Sequence, residues 1–179
     1  MKGSQYFKQV QKVYTQENLN KAILSAALTV NADMSERIFV DGKASDGSEI
    51  GKYNTTDELY VNPKNAPKKF PPKGKNGDVK FSDGKPHKTS YFDSYAEFRK
   101  KIGRKTNKVN LFLFGVLQSN WSNGVKPTER GAHATLNELN ALKAEGNEDH
   151  FGKSIFKHTQ DEIKKYQRLV ISQMKFYAK

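Results

Sequence analysis

The 179-residue chain contains no cysteine, which excludes a disulfide framework, a thiol nucleophile and any cysteine-based zinc or iron–sulfur site. Long apolar runs are missing too. The two most apolar stretches, Ala22 to Val30 and Val109 to Leu117, fall far short of the roughly 20 residues a membrane span needs. No apolar segment follows Met1-Lys2-Gly3-Ser4-Gln5-Tyr6, so no signal peptide is expected. A soluble cytoplasmic chain with no membrane partner is the expectation. Acid is scarce: 19 Asp and Glu stand against 31 Lys and Arg, for a net charge of +12. A polyanion is therefore the first neighbour to consider. Hydrophobic residues make up only 35%, yet 11% are aromatic, more than disordered chains carry. Part of the chain should fold around aromatic packing while another part stays polar. The length suits a single domain over residues 1–179.

The positive charge is concentrated. Between Asn62 and Lys108 there are fourteen basic residues and four acids, an excess of ten. The chain has only 6 prolines, and five of them, Pro63, Pro67, Pro71, Pro72 and Pro86, lie in the first part of that stretch. Proline removes ladder donors, and Gly74, Gly77 and Gly84 disfavour regular structure, so residues 62–88 read as a long extended arm. Such an arm is either a solvated basic linker or a segment that orders against a partner subunit or nucleic acid.

Helical spacing predicts a short helix over Ser4 to Tyr14. A longer one runs from about Asn18, with Leu19, Ile23, Ala26, Val30, Met34 and Ile38 on its apolar stripe and a stop at Asp41-Gly42. Asp46-Gly47 marks a turn. Ser94-x-x-Glu97 and Thr159-x-x-Glu162 have capping-box spacing, in which a hydroxyl and a carboxylate each satisfy an orphan backbone N–H. They open a short helix ended by Gly103 and a C-terminal helix striped by Ile163, Tyr166, Val170, Met174 and Tyr177. Val109 to Leu117 reads as a strand apolar on both faces, Ser122-Asn123-Gly124 as a hairpin turn, and Thr135 to Glu145 as a further helix. The fold class is α+β, with N-terminal helices and a C-terminal helix packed on a small antiparallel sheet.

Catalytic patterns fail on inspection. Gly84-Lys85 lacks the earlier glycine of a phosphate loop, where Val79 stands, and carries Pro86 where Ser or Thr is required. Gly103-Arg104-Lys105-Thr106 fails likewise, with Phe98 at the earlier glycine position. His87, His133, His150 and His158 form no helical i, i+4 pair and read as surface histidines rather than metal ligands. Lys43 occupies a ligand position in the acidic turn Asp41 to Glu49, which excludes a calcium loop. Ser119, near the lone Trp121, has no adjacent base, and Glu148-Asp149 beside His150 reads as a solvated loop. No enzyme, cofactor or metal is expected.

Two readings remain. In one, the arm binds nucleic acid, with Lys and Arg on phosphates and Phe70, Phe81, Tyr91 or Phe92 stacking on bases. In the other, the chain is an assembly subunit whose arm reaches over a neighbour and whose doubly apolar strand, Val109 to Leu117, sits near an interface. On either, the interaction residues are Lys64, Lys68, Lys69, Lys73, Lys75, Lys80, Lys85, Lys88, Arg99 and Arg104. The predominance of Lys over Arg weakens specific readout and favours assembly.

Several phrases occur in a familiar order. They are Arg37-Ile38-Phe39-Val40-x-Gly42-Lys43-x-x-Asp46-Gly47-x-x-Ile50-Gly51-x-Tyr53, then Tyr91 with Tyr95-x-Glu97-Phe98-Arg99 and Gly103-Arg104. Val109-Asn110-Leu111-x-Leu113-x-Gly115-x-Leu117 follows, and lastly Gly152-x-x-Ile155-Phe156-x-x-Thr159-x-x-Glu162. From about Ser35 to Arg168 the chain resembles the virion-morphogenesis, or tail-completion, proteins of tailed bacteriophages, which sit at the neck where head and tail join. The resemblance implies a small α+β subunit with no catalytic site, forming a closed homo-oligomeric ring, most often six-fold. Its partners would be the adjacent connector and tail proteins, with nonspecific contact to genomic DNA in the channel. Its location would be the virion neck or tail, after assembly in the host cytoplasm. The chain departs from the family pattern in its Pro/Lys arm and in Phe114 before Gly115.

Overall fold

A computed structural model describes residues 14–61, 76–80, 86–113, 115–129 and 131–177, with backbone alone for 76–80 and 86–90. In chain order the elements are α1 (Gln16–Phe39), β1 (Leu59–Val61), β2 (Asn76–Lys80), β3 (Pro86–Phe92), α2 (Tyr95–Lys101), α3 (Val116–Ser122), β4 (Val125–Thr128), β5 (Gly131–Ala134), α4 (Glu138–Phe151) and α5 (Gln160–Tyr177). The class is α+β. Two compact units separate: one takes the residues up to Ile50 and those from Asn110, the other Gly51–Val109. Each has its own antiparallel sheet, β4-β5 in the first and β1-β3-β2 in the second. Among the described residues no helix is long and apolar enough to cross a membrane.

The first unit is built on α1. Thr15 caps it by accepting the Asn18 N–H at 3.1 Å. Ala22, Ala26, Val30, Met34 and Ile38 recur every fourth residue and are all buried. That stripe packs against α5 and against the β4-β5 hairpin. The helix stops where Gly42 adopts φ 67°, so that the Lys43 N–H turns back onto the Arg37 carbonyl. Asp46-Gly47 makes the expected turn: Gly47 has φ 82°, and Asp46 accepts from the Ser48 N–H and hydroxyl at 2.9 and 2.6 Å. The Thr159 capping box is reciprocal. Thr159 Oγ1 accepts the Glu162 N–H at 3.0 Å, and Glu162 accepts the Thr159 N–H at 2.7 Å. The helix predicted over Ser4 to Tyr14 lies outside the described residues apart from Tyr14.

Three expectations for this unit are corrected. Among the described residues of the apolar run Val109 to Leu117 no strand forms. Asn110 Oδ1 takes the Phe112 N–H at 3.3 Å, Leu111 has φ 49° and Gly115 has φ 77°, so local bonds and left-handed residues break any ladder before α3 begins. Asn123-Gly124 is not a hairpin turn. Gly124 lies at the open end of the β4-β5 hairpin, where the Thr135 N–H bonds to its carbonyl at 3.1 Å. A Cβ there would stand 2.3 Å from the Thr135 carbonyl oxygen, so the backbone approach demands glycine. Because Thr135 extends that ladder, α4 starts only after its cap at Asn137, and Gly152 at φ 61° ends it.

In the second unit the Ser94 box forms with one shift. Ser94 Oγ accepts the Glu97 N–H at 3.1 Å, while Glu97 reaches the Asp93 N–H at 2.7 Å. Phe92 and Phe98 meet edge-to-face at 5.1 Å and Tyr53 and Tyr95 at 5.5 Å, which is the aromatic packing the composition predicts. The stretch 62–88 is not one unpaired arm. Its part Asn76–Lys80 pairs antiparallel with Pro86–Ser90, and β3 pairs with β1 from Ser90 to Phe92. Proline at the first residue of β3 and glycine inside β2 are compatible with a short ladder. Residues 62–75 and 81–85 lie outside the described residues.

Candidate functional site

Of the ten basic residues expected to face a partner, Lys64, Lys68, Lys69, Lys73, Lys75 and Lys85 lie outside the described residues. Lys80 and Lys88 occupy the β2-β3 ladder, where Lys80 stands opposite Pro86 and Lys88 opposite Asp78. Arg99 is a correction. It is 1% exposed, its guanidinium carbon lies 4.1 Å from the centroid of Tyr53, and its Nε donates to the Lys105 carbonyl at 3.1 Å. A planar cation that is weakly hydrated can be buried over an aromatic face, so Arg99 supports the core of its unit instead of meeting phosphates. Arg104 is half-buried. On the same helix Lys101 is paired with Glu97 at 2.7 Å and lies 5.4 Å from the Phe92 ring.

The sheet of this unit carries a tyrosine pair. Tyr60 and Tyr91 face each other across β1 and β3 with centroids 5.3 Å apart, and both hydroxyls donate to the Glu58 carboxylate, at 3.0 and 2.7 Å. That acceptor holds both phenols above the ordinary tyrosine value, Tyr91 more strongly. Glu97 is held below the usual carboxylate range by its bonds to Lys101 and to the Asp93 N–H. Asp46 is held low by the Ser48 hydroxyl and N–H.

The first unit leaves large apolar side chains uncovered. On α4, Leu139 is 63% and Leu142 61% exposed, three residues apart and so on one face. Val116 on α3, Leu28 on α1, and Ile171 and Phe176 on α5 are also exposed. Single exposed apolar residues are ordinary, but a pair on one helical face is more informative. The hydrophobic stripe of α4 was not legible in the sequence, because Asn140 and Ala144, both buried, make its inward contacts.

The same unit encloses a half-open cavity of about 260 Å³ between α1, α3, β4-β5 and α5. Val30, Met34 and Ile163 form much of its apolar wall, and Trp121, His133, His158 and Tyr166 also line it. Sequence spacing could not bring His133 and His158 together, since one lies on β5 and the other in the loop before α5. The single tryptophan was the only signal pointing here. A comparison with known family models, curated proteins and solved structures finds no match to this chain.

Proposed function

We propose that the chain is a structural subunit that acts by assembling with further copies of itself, as a tail-completion or head-to-tail joining protein in a phage neck. The observation that carries assembly is the uncovered pair Leu139 and Leu142 on α4. Covering them removes apolar area from water, and repetition around a rotation axis does so for every copy. The neck setting rests on the ordered phrases of the sequence, several of which make turns and caps: Gly42, the Asp46-Gly47 turn, the Thr159 box and Gly152.

Native mass spectrometry over a concentration series tests the reading. A closed oligomer of the 20.3 kDa chain is expected. The double variant Leu139→Glu, Leu142→Glu should return it to monomer with an unchanged circular dichroism spectrum. A wild-type chain that stays monomeric at every concentration and is absent from purified virions would overturn the proposal.

One alternative is kept, a basic nucleic-acid-binding protein. It is favoured by the excess of ten positive charges over residues 62–108 and by the β2-β3 hairpin inside that stretch. It requires affinity that falls with salt, with a log–log slope of about −0.9 per neutralised phosphate. No retention of DNA or RNA at low salt removes it.

A further inference from the structure

We propose that the cavity of the first unit is a binding site for a small, flat, uncharged heteroaromatic molecule carrying adjacent N–H and carbonyl groups. The site is independent of the assembly reading. Three observations converge on it.

The first is size. A dry protein cavity of about 150 Å³ holds benzene, so the space here, about 260 Å³, has room for a fused two-ring molecule. The second is the wall. Ala27, Val30 and Met34 from α1 and Val125, Ala132 and Ala134 from the hairpin line an apolar slot, to which Trp121 and Tyr166 add their rings. Flat apolar surfaces and aromatic edges favour a planar guest.

The third is two unmet polar atoms on residues that line the cavity. Asn31 is 5% exposed, and its Nδ2 donates to the Trp121 carbonyl at 3.1 Å, so the two residues adjoin. Yet Asn31 Oδ1, an acceptor, and Trp121 Nε1, a donor, are both shut off from water and have no hydrogen-bond partner. Buried side-chain polar atoms are nearly always paired, because an unmet one retains its desolvation penalty. With no bond holding its N–H, the indole is fixed by packing alone, against the Phe156 ring at 5.4 Å. On binding, the indole N–H and the Asn31 side-chain carbonyl turn from their closed positions toward the guest. A cyclic amide then satisfies both atoms at once, its N–H donating to Asn31 Oδ1 and its carbonyl accepting from Trp121 Nε1. Among the described residues no carboxylate or ammonium lines the cavity, where His133 and His158 are the basic side chains, so a neutral guest that forms both bonds is the better fit.

The chain has 1 tryptophan, so the indole N–H of the ¹⁵N-labelled full-length protein gives one NMR signal, placed in this wall. Titration with quinolin-2(1H)-one should shift that signal saturably, with a Kd below about 1 mM. Quinoline, of similar size but without the N–H, should bind at least fivefold more weakly. Ala134→Phe, which fills the mouth from β5, should abolish the shift. Should that variant not fold, Val125→Met narrows the cavity from β4 and serves in its place. No saturable shift in the wild-type protein, an undiminished shift in the folded filled variant, or equal binding of quinoline would each overturn the proposal.

Discussion

Arg37 on α1 and Glu162 at the start of α5 form a nearly buried ion pair, Nε to Oε1 at 2.8 Å, with side chains 11% and 9% exposed. The pair does more than join two helices. Arg37 spends its other donors on the carbonyls of Lys43, Ile155 and Lys157, and the second oxygen of Glu162 takes the Thr159 N–H. One guanidinium thus ties the turn after α1 to the segment leading into α5. The planar fork of arginine is required, because a lysine ammonium cannot reach three carbonyls and a carboxylate at fixed angles.

Removing either partner strands the other charge with little access to water. Glu162→Ala and Arg37→Met should each destabilise the first unit by about 3 kcal/mol. The double variant should cost clearly less than the two together, as expected for a coupled pair. Urea unfolding followed by tryptophan fluorescence measures this directly. Strict additivity would contradict the coupling.

Alkaline pH should act on the second unit through Tyr60 and Tyr91. Their bonds to Glu58 raise both phenols above the ordinary value. A raised folded-state pKa means that the stabilisation is complete below the unfolded value, near about 10. It is lost as pH climbs through the higher folded values. Spectrophotometric titration of tyrosinate should therefore show a late-ionising fraction, and Glu58→Gln should move that fraction to lower pH. An identical titration curve for the variant would show that Glu58 does not hold the phenols.

Arg99 separates core from surface. Arg99→Ala should lower stability by about 2 kcal/mol, the scale of a desolvated cation–π contact. Arg99→Lys should recover little, since stacking on Tyr53 and the bond to Lys105 use the planar group. Neither variant should alter the salt dependence of any nucleic-acid binding. A changed salt slope with unchanged melting temperature would place Arg99 on the surface after all.

Gly124→Ala should destabilise the β4-β5 hairpin by about 2 kcal/mol, within the range for overpacking. The added methyl would meet the Thr135 and Asn120 carbonyl oxygens, both backbone atoms, at 2.3 and 3.2 Å. Gly47→Ala is strained for a different reason, its φ of 82°, although open space surrounds it. Thermal melts of the two variants should show the larger loss for Gly124.

Local signals proved reliable where the chain's own neighbours decide the outcome. The boxes at Ser94 and Thr159 and the stop at Gly42 depend on hydrogen bonds a few residues apart, and each forms. The run Val109 to Leu117 misled because apolar content alone does not distinguish a strand from an irregular buried segment. What decides there is the Asn110 side chain bonding its own backbone. Asn123-Gly124 has hairpin-turn chemistry, but its glycine is required by contact with Thr135, a partner that sequence order does not reveal.

By itself the sequence determined the α+β class, the long stripe of α1, both capping boxes and the concentration of positive charge between Asn62 and Lys108. These follow from spacing and from bonds between near neighbours. Only the tertiary structure decided that Arg99 turns inward over Tyr53, that Arg37 clasps Glu162, and that Asn31, Trp121, His133 and His158 line one cavity. The reason is physical: burial and pairing depend on which distant segments share a core, and a charge can be solvated or enclosed without any change in its sequence neighbours.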